Sequence, residues 1–305
     1  MRIIDMHSHW ATRRGYALRS EAELSRQKGT WNSEPRYMDE GAMADCLRQA
    51  GVAAILDLGY TKSLELDAVK ELHDYAFEFQ REFPDAVIGH WINVDPRIGK
   101  PAVAELVRCL ESECFVGLSI SGASNGAPAT DDVWRPFIEV CEDRACPVLV
   151  IVGHNGGGAG LPGGGGMVLD DCHPRHVDRL AAQHPYLRIV AGRPAWPWQD
   201  EMISVMLHKP NVWNELHGWS PRYLTESLKH DIARRLRKRI MFGADFPLFT
   251  YERLEGDWNQ LGFSAEVLRD VQLLNAARFL SEGRAFQGQA VMRSITEEAD
   301  GGSGE

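Results

Sequence analysis

Two histidines one residue apart close the first apolar run of the chain, in Met6-His7-Ser8-His9. In an extended strand alternate side chains share a face, so His7 and His9 can hold one metal ion between their imidazoles. The last apolar run, Met241-Phe242-Gly243-Ala244-Asp245-Phe246-Pro247, stops on a carboxylate. If buried, Asp245 needs a cation or hydrogen-bond donors, which suits a metal ligand or a base for metal-bound water. A third run ends Asn214-Glu215-Leu216-His217. It puts Glu215 and His217 on one face as an acid–base pair, as further ligands or as substrate contacts. The plainer alternatives are a His pair that caps a loop, an Asp245 that caps the next helix, and a Glu215–His217 pair that orients itself or Trp219.

This chemistry requires a fold that joins the two ends of the chain. Eight short β-rich runs, at residues 2–5, 53–58, 87–94, 116–121, 148–152, 188–191, 212–216 and 240–243, alternate with helical patterns. The helical patterns begin near Asp39, Ser63, Lys100, Asp131, Pro174, Pro197, Pro221 and Tyr251. Eight such alternations predict an α/β fold, a (β/α)8 TIM barrel, in which strand eight neighbours strand one and Asp245 faces His7 and His9. The rival, a doubly wound nucleotide-binding sheet, needs a glycine turn after the first strand, where this chain has its histidines. With no repeat and no Pro/Ser linker, residues 1–283 are expected to form one domain and 284–305 a flexible tail, frayed or exchanged after Gln287. The polar, Arg-bearing segment 10–37 is long for a βα loop and is expected to form a flap over the barrel mouth.

Composition limits the partners. The 305 residues carry 33 Lys+Arg against 43 Asp+Glu, a net charge of −10 that argues against nucleic acid and against an anionic membrane surface. No apolar run approaches the roughly 18–20 residues of a membrane span, and Asp5 interrupts the place where a signal peptide is apolar, so a cytoplasmic protein with a small-molecule substrate is expected. Six cysteines without a Cys-x-x-Cys pair read as buried free thiols. Nine glycines in the fourteen residues from Gly153 to Gly166 suggest a mobile loop at the site, without the Lys-Ser/Thr ending of a phosphate loop. Trp10, Trp91, Trp196, Trp198 and Trp219 near strand ends offer planar walls for an aromatic or dienoic acid, unless they fill the core. His90, inside strand three, reads as a core histidine.

His-x-His on strand one with Gly243-Ala244-Asp245-Phe246-Pro247 on strand eight resembles the amidohydrolase superfamily. Within it, the likeness is to the branch of metal-dependent hydrolases and non-oxidative decarboxylases that includes aminocarboxymuconate-semialdehyde decarboxylase. Gly153-His154, Trp196-Pro197-Trp198-Gln199-Asp200-Glu201 and Gly218-Trp219-Ser220-Pro221 extend the resemblance from Met1 to about Leu280. It implies a distorted barrel with one divalent metal, zinc first and manganese second, and a homodimer. The metal would be held by His7, His9 and Asp245, with His154 a further candidate.

Two departures stand out. The strand-five histidine of the family falls on Ile151; His154, three residues on, either reaches the metal or anchors the glycine loop. The strand-six catalytic histidine falls on Arg193, which cannot act as a base at neutral pH. Arg193 either clamps a substrate carboxylate or is tied structurally to a carboxylate of the chain. Proton transfer then falls to Asp245, His154 or His217, with Arg193, Trp196, Glu215 and Trp219 as substrate contacts. The expected reaction is hydrolysis of a C–C or C–N bond in a small carboxylated, aromatic-derived compound. Non-oxidative decarboxylation is the alternative, and a degenerate barrel that binds without turnover is the third reading.

Overall fold

Eight parallel strands follow one another around a single sheet in sequence order. They are β1 (Ile3–Ser8), β2 (Val52–Asp57), β3 (Val87–Ile92), β4 (Phe115–Ile120), β5 (Val148–Ile151), β6 (Ile189–Gly192), β7 (Val212–Glu215) and β8 (Ile240–Met241). The structure is a computed structural model that describes residues 2–301 except 17, 19, 60, 62 and 63. Backbone bonds from Met6 N to Phe242 O (3.0 Å), Asp245 N to His7 O (2.9 Å) and His9 N to Phe246 O (2.7 Å) bring the ends of the sheet together. The expected (β/α)8 barrel is therefore present, with all eight runs as strands.

The outer helices are α1 (Glu21–Trp31), α2 (Glu40–Ala50), α3 (Leu66–Glu82), α4 (Lys100–Leu110), α5 (Arg135–Asp143), α6 (Pro174–Gln183), α7 (Gln199–His208), α8 (Glu226–Ile232) and α9 (Tyr251–Asn259), followed by α10 (Asn275–Ser281) and α11 (Gln289–Gly301). Side-chain caps start several of them, Asp39 for α2, Thr225 for α8 and Thr250 for α9, each accepting a free N–H of the first turn. The helix expected near Ser63 begins at Leu66; Ser63 itself lies outside the described residues. In segment 10–37, Ser20 and Glu23 start α1 with a reciprocal capping box. No helix among the described residues is long and apolar enough to cross a membrane.

Alternation along each strand divides the core in two. Ile4, Met6, Ile55, Leu149, Val190 and Met241 fill the barrel interior, while Ile3, Val52, Leu56 and Val87 pack outward under the helices. Trp91 belongs to the interior, its indole N–H donating to Met6 O at 2.8 Å. It and the buried Trp10 are thus core side chains and do not form walls of a site. All six cysteines are free, five of them buried and Cys46 half-buried.

The frayed or exchanged arm expected after Gln287 is replaced by α11, which docks on the barrel floor. Phe286 and Met292 are buried there with Ile4 and Phe279, and Ile295 packs beside them. Apolar residues at helical spacing within an otherwise polar segment make this docking favourable. Residues 302–305 lie outside the described residues.

Candidate active site

Strict alternation from Ile4 and Met6, both inside the barrel, would send His7 outward. The β1–β2 register shifts between Asp5 and Ser8, and this bulge resets the phase so that His7 faces the mouth together with His9. Asp5 holds the bulge from the outer face. Its Oδ1 accepts from His7 N and from Ala244 N, both at 3.0 Å, and its Oδ2 accepts from Ser8 Oγ and from Tyr251 Oη (2.7 Å). Burial pushes the Asp5 carboxyl up to about 6 against these four donors. One side chain therefore ties the histidine strand to the strand that carries Asp245.

Asp245 adopts a left-handed backbone (φ 59°), which Asp tolerates better than most residues. Its Oδ1 lies 3.2 Å from His9 Nε2. His9 Nδ1 is engaged by the Asp57 carbonyl at 2.9 Å, so Nε2 is the nitrogen turned to the carboxylate. Two electron-rich atoms at that distance require a proton or a metal cation between them. Burial disfavours a charged His9 ring, but the Asp245 and Asp57 carboxylates outweigh it and raise its pKa. Asp245 stays well below the usual carboxylate range, because His9, His217 and Arg193 overcome the effect of its burial.

His7 completes the group: one ligand atom each from His7, His9 and Asp245 lies within 4.8 Å of the others. His7 Nδ1 is buried and has no hydrogen-bond partner among the described residues. Burial, with the neighbouring His217, His9 and Arg193 adding to it, depresses its pKa well below normal and keeps the ring neutral. Two imidazoles, one of them with an orphaned nitrogen, and one ionised carboxylate match the donors that a divalent transition metal prefers. The ligand residues expected from the sequence are brought together, except His154. No such group among the described residues includes His154; its ring lies 5.8 Å from that of Trp196 and 6.2 Å from that of Trp219.

His217 stacks on His7, with centroids 3.5 Å apart and planes at 5°. Its Nδ1 bonds Glu215 Oε1 at 2.6 Å, and its backbone N–H donates to Glu215 Oε2 at 3.0 Å. Arg193 Nε donates to His217 Nε2 at 3.1 Å, and Arg193 Nη1 donates to the His154 carbonyl at 2.7 Å. A guanidinium only donates, so Nε2 is the acceptor and the ring proton resides on Nδ1. Glu215 is fully buried and saturated by His217, with His7 Nδ1 3.4 Å from its Oε1. It orients the imidazole and, unlike the substrate contact expected of it, lines neither of the site's two chambers.

Two chambers open on these residues. The inner one, about 40 Å³, is lined by His7, Asp57, Asn93, Ser119 and Asn125 together with Ile151, which leaves β5 without a ligand. The outer one, about 520 Å³, is lined by Trp31, Asp245, Phe249, Trp219 and His154 among others. His9 and Arg193 line both. Trp196, expected to touch substrate, stands 43% exposed at the rim with its ring 5.3 Å from that of Trp219. In the glycine-rich segment only Gly156 reaches the outer chamber with His154, and Asn155 caps the turn by accepting from Gly157 N at 2.8 Å.

Sequence reasoning missed Asp57. Its Oδ2 accepts from Ser119 Oγ at 2.6 Å and its Oδ1 from Gly59 N at 2.6 Å, while its carbonyl fixes His9. The available signal was a lone carboxylate at the end of strand two.

A family model described as "Amidohydrolase" matches residues 4–281. No curated protein matches the sequence. Among solved structures, the fold is similar to an uncharacterized TIM-barrel protein from Bordetella bronchiseptica, with TM-score 0.67 and 17% identity over 92% of this chain and 99% of the other. It is also similar to 2,6-dihydroxybenzoate decarboxylase from Rhizobium, with TM-score 0.67 and 16% identity over 90% and 97%. A third likeness is to 5-carboxyvanillate decarboxylase from Novosphingobium aromaticivorans, complexed with manganese and 4-hydroxy-3-methoxy-5-nitrobenzoic acid, with TM-score 0.65 and 16% identity over 91% and 95%. At such identities the structural likenesses establish the barrel fold.

Proposed function

The chain belongs to the amidohydrolase family, and from that premise we propose that it is a metal-dependent carboxy-lyase that removes CO2 from an aromatic acid. The observation that carries this reading is the position of Arg193. Its guanidinium lines both chambers at the His9–Asp245 pair, and Nε and Nη1 are engaged while Nη2 has no partner among the described residues. That spare donor suits a substrate carboxylate. The same residue occupies His217 Nε2, the nitrogen that would otherwise take a proton from attacking water. Two of the structural relatives being decarboxylases, one with manganese, supports the same choice and favours manganese over zinc.

His7, His9 and Asp245 would hold the cation, which when bound supplies positive charge to polarise a substrate oxygen. Arg193 orients the carboxylate, and the ring rests in the outer chamber. As the ring–carboxylate bond breaks, CO2 leaves and the electron pair stays on the ring carbon. Asp245 delivers the proton that takes the place of CO2, having accepted it from a substrate hydroxyl or from solvent, since its resting form is ionised. Glu215 keeps His217 in one tautomer, and stacking on His217 holds His7 in place.

Hydrolysis of a C–C or C–N bond, ranked first on sequence, is the second reading, favoured by the family's name; it uses the same cation site but needs a free base for water. We further propose that the protein is cytoplasmic and a homodimer. A panel of hydroxylated and methoxylated benzoic acids with their matching amides, given to the manganese-loaded protein, tests the function. Release of CO2 from an acid is expected. Cleavage of amides without CO2 would establish the hydrolase, and binding without either product the degenerate barrel.

A further inference from the structure

The two chambers that meet at His9 and Arg193 differ more than tenfold in volume, about 40 Å³ against about 520 Å³. The larger falls among pockets of about 300–1,000 Å³ that enclose drug-sized ligands. A one-ring acid with its carboxylate at Arg193 occupies only the inner part of that space and leaves the remainder to water.

The remainder has aromatic walls. Trp31 comes from α1 and lies against the glycine segment: a Cβ on Gly156 would sit 3.0 Å from Trp31 Cζ2, so glycine is what admits the indole there. Trp219 follows β7 and is backed by Trp196 at 5.3 Å and Tyr223 at 5.8 Å between ring centroids. Leu248 and Phe249 close another side. At the same chamber Asn32 offers an amide, and the Arg253 guanidinium lies 5.6 Å from the Phe249 ring centroid. Planar walls with a few polar groups are complementary to a substituted aromatic ring.

We propose that the outer chamber is a binding subsite for a second aromatic ring, so that the substrate is a two-ring carboxylic acid. Its reacting ring lies at the His9–Arg193 neck and its distal ring against Trp31 and Trp219. This rests on the carboxy-lyase reading for the role of the neck, and on volume and wall chemistry for the distal ring.

Calorimetric titration of the full-length, manganese-loaded protein with salicylate, and with salicylates bearing a phenyl group at each open ring position, tests the subsite. At least one phenyl isomer is expected to bind tenfold or more tighter than salicylate, and the ratio is expected to fall towards one in Trp31→Ala and in Trp219→Ala. Leu248→Trp fills the chamber from a different wall; it is expected to abolish the ratio as well, and decides the matter if either alanine variant fails to fold. Equal affinities across the isomers, no binding by any of the acids, or a ratio that survives the substitutions overturns the proposal. CO2 release without the phenyl preference rejects the subsite and leaves the reaction standing. The phenyl preference without CO2 release rejects the reaction and leaves the subsite standing.

Discussion

Arg193 Nε donates to His217 Nε2 across 3.1 Å, joining the residue that follows strand six to the imidazole two residues beyond strand seven. With Nδ1 committed to Glu215, His217 has no nitrogen left to accept a proton while Arg193 remains there. In the proposed reaction, proton transfer therefore falls to Asp245, and Arg193 is left to hold the carboxylate.

Replacing Arg193 separates these roles. A charge-assisted hydrogen bond contributes about 1.5–3 kcal/mol, so Arg193→Met is expected to weaken binding of the acid by roughly ten- to a hundredfold. In the same variant, nitrogen-15 NMR of His217 should report an Nε2 that has lost its donor. An unchanged His217 spectrum would disprove the Arg193–His217 bond.

Glu215→Gln turns one of two buried acceptors into a donor that must face either His217 N–H or the ring Nδ1–H. Leaving such a group unmatched costs about 1–3 kcal/mol. Denaturant titration is expected to show a loss of that size, with weaker metal binding because His217 no longer supports His7. A variant as stable as the parent would refute the hydrogen-bond assignment at Glu215.

Asp5 touches no substrate and acts through the strands it joins. Tyr251→Phe removes one of its four donors and is expected to cost about 1 kcal/mol. Asp5→Ala orphans the buried N–H groups of His7 and Ala244, and is expected to cost about 3 kcal/mol or more while lowering metal affinity. Equal stability losses in the two variants would contradict the role given to Asp5.

The three residues of the candidate metal group were legible in the sequence, but the reason they meet was only partly so. His-x-His and Gly-x-Asp-x-Pro mark strands one and eight, and the eight alternations supply the closure. His7 and His9 share one face, as alternation requires; the bulge that turns this face inward is set by Asp5, whose partners include residues 244 and 251. Asp57 escaped notice because a single carboxylate at a strand end looks the same whether it caps a turn or orients a histidine. His154 is adjacent to strand five in sequence, yet the turn at Gly153 (φ 78°) carries it to the outer chamber. The tail was expected to be flexible, and Met292 and Ile295 are the apolar residues of α11 that mark the face that docks.

His90 makes the fold sensitive to acid. It is fully buried with Nδ1 3.3 Å from Cys114 Sγ, and burial pushes its pKa down to about 3, with Cys114 opposing and His73 adding to the effect. An unfolded histidine titrates near 6.5, so between pH 6.5 and 3 the unfolded chain binds a proton that the fold excludes. Stability is expected to fall across that window by up to about 5 kcal/mol at this residue. In His90→Gln the fall should be smaller, so the gap in melting temperature between the parent and the variant should narrow from pH 7 to pH 4. A constant gap would show that His90 does not titrate in this way.

The most direct test of the account is metal stoichiometry on the purified chain, measured by elemental analysis after dialysis against manganese and by calorimetry. One ion per chain, with protons released on binding and with His9→Ala and Asp245→Asn each losing the ion while remaining folded, is the predicted result. A chain that takes up no divalent ion, or that binds one equally well without His9 and Asp245, would contradict the claim that the two ends of the barrel close around a cation.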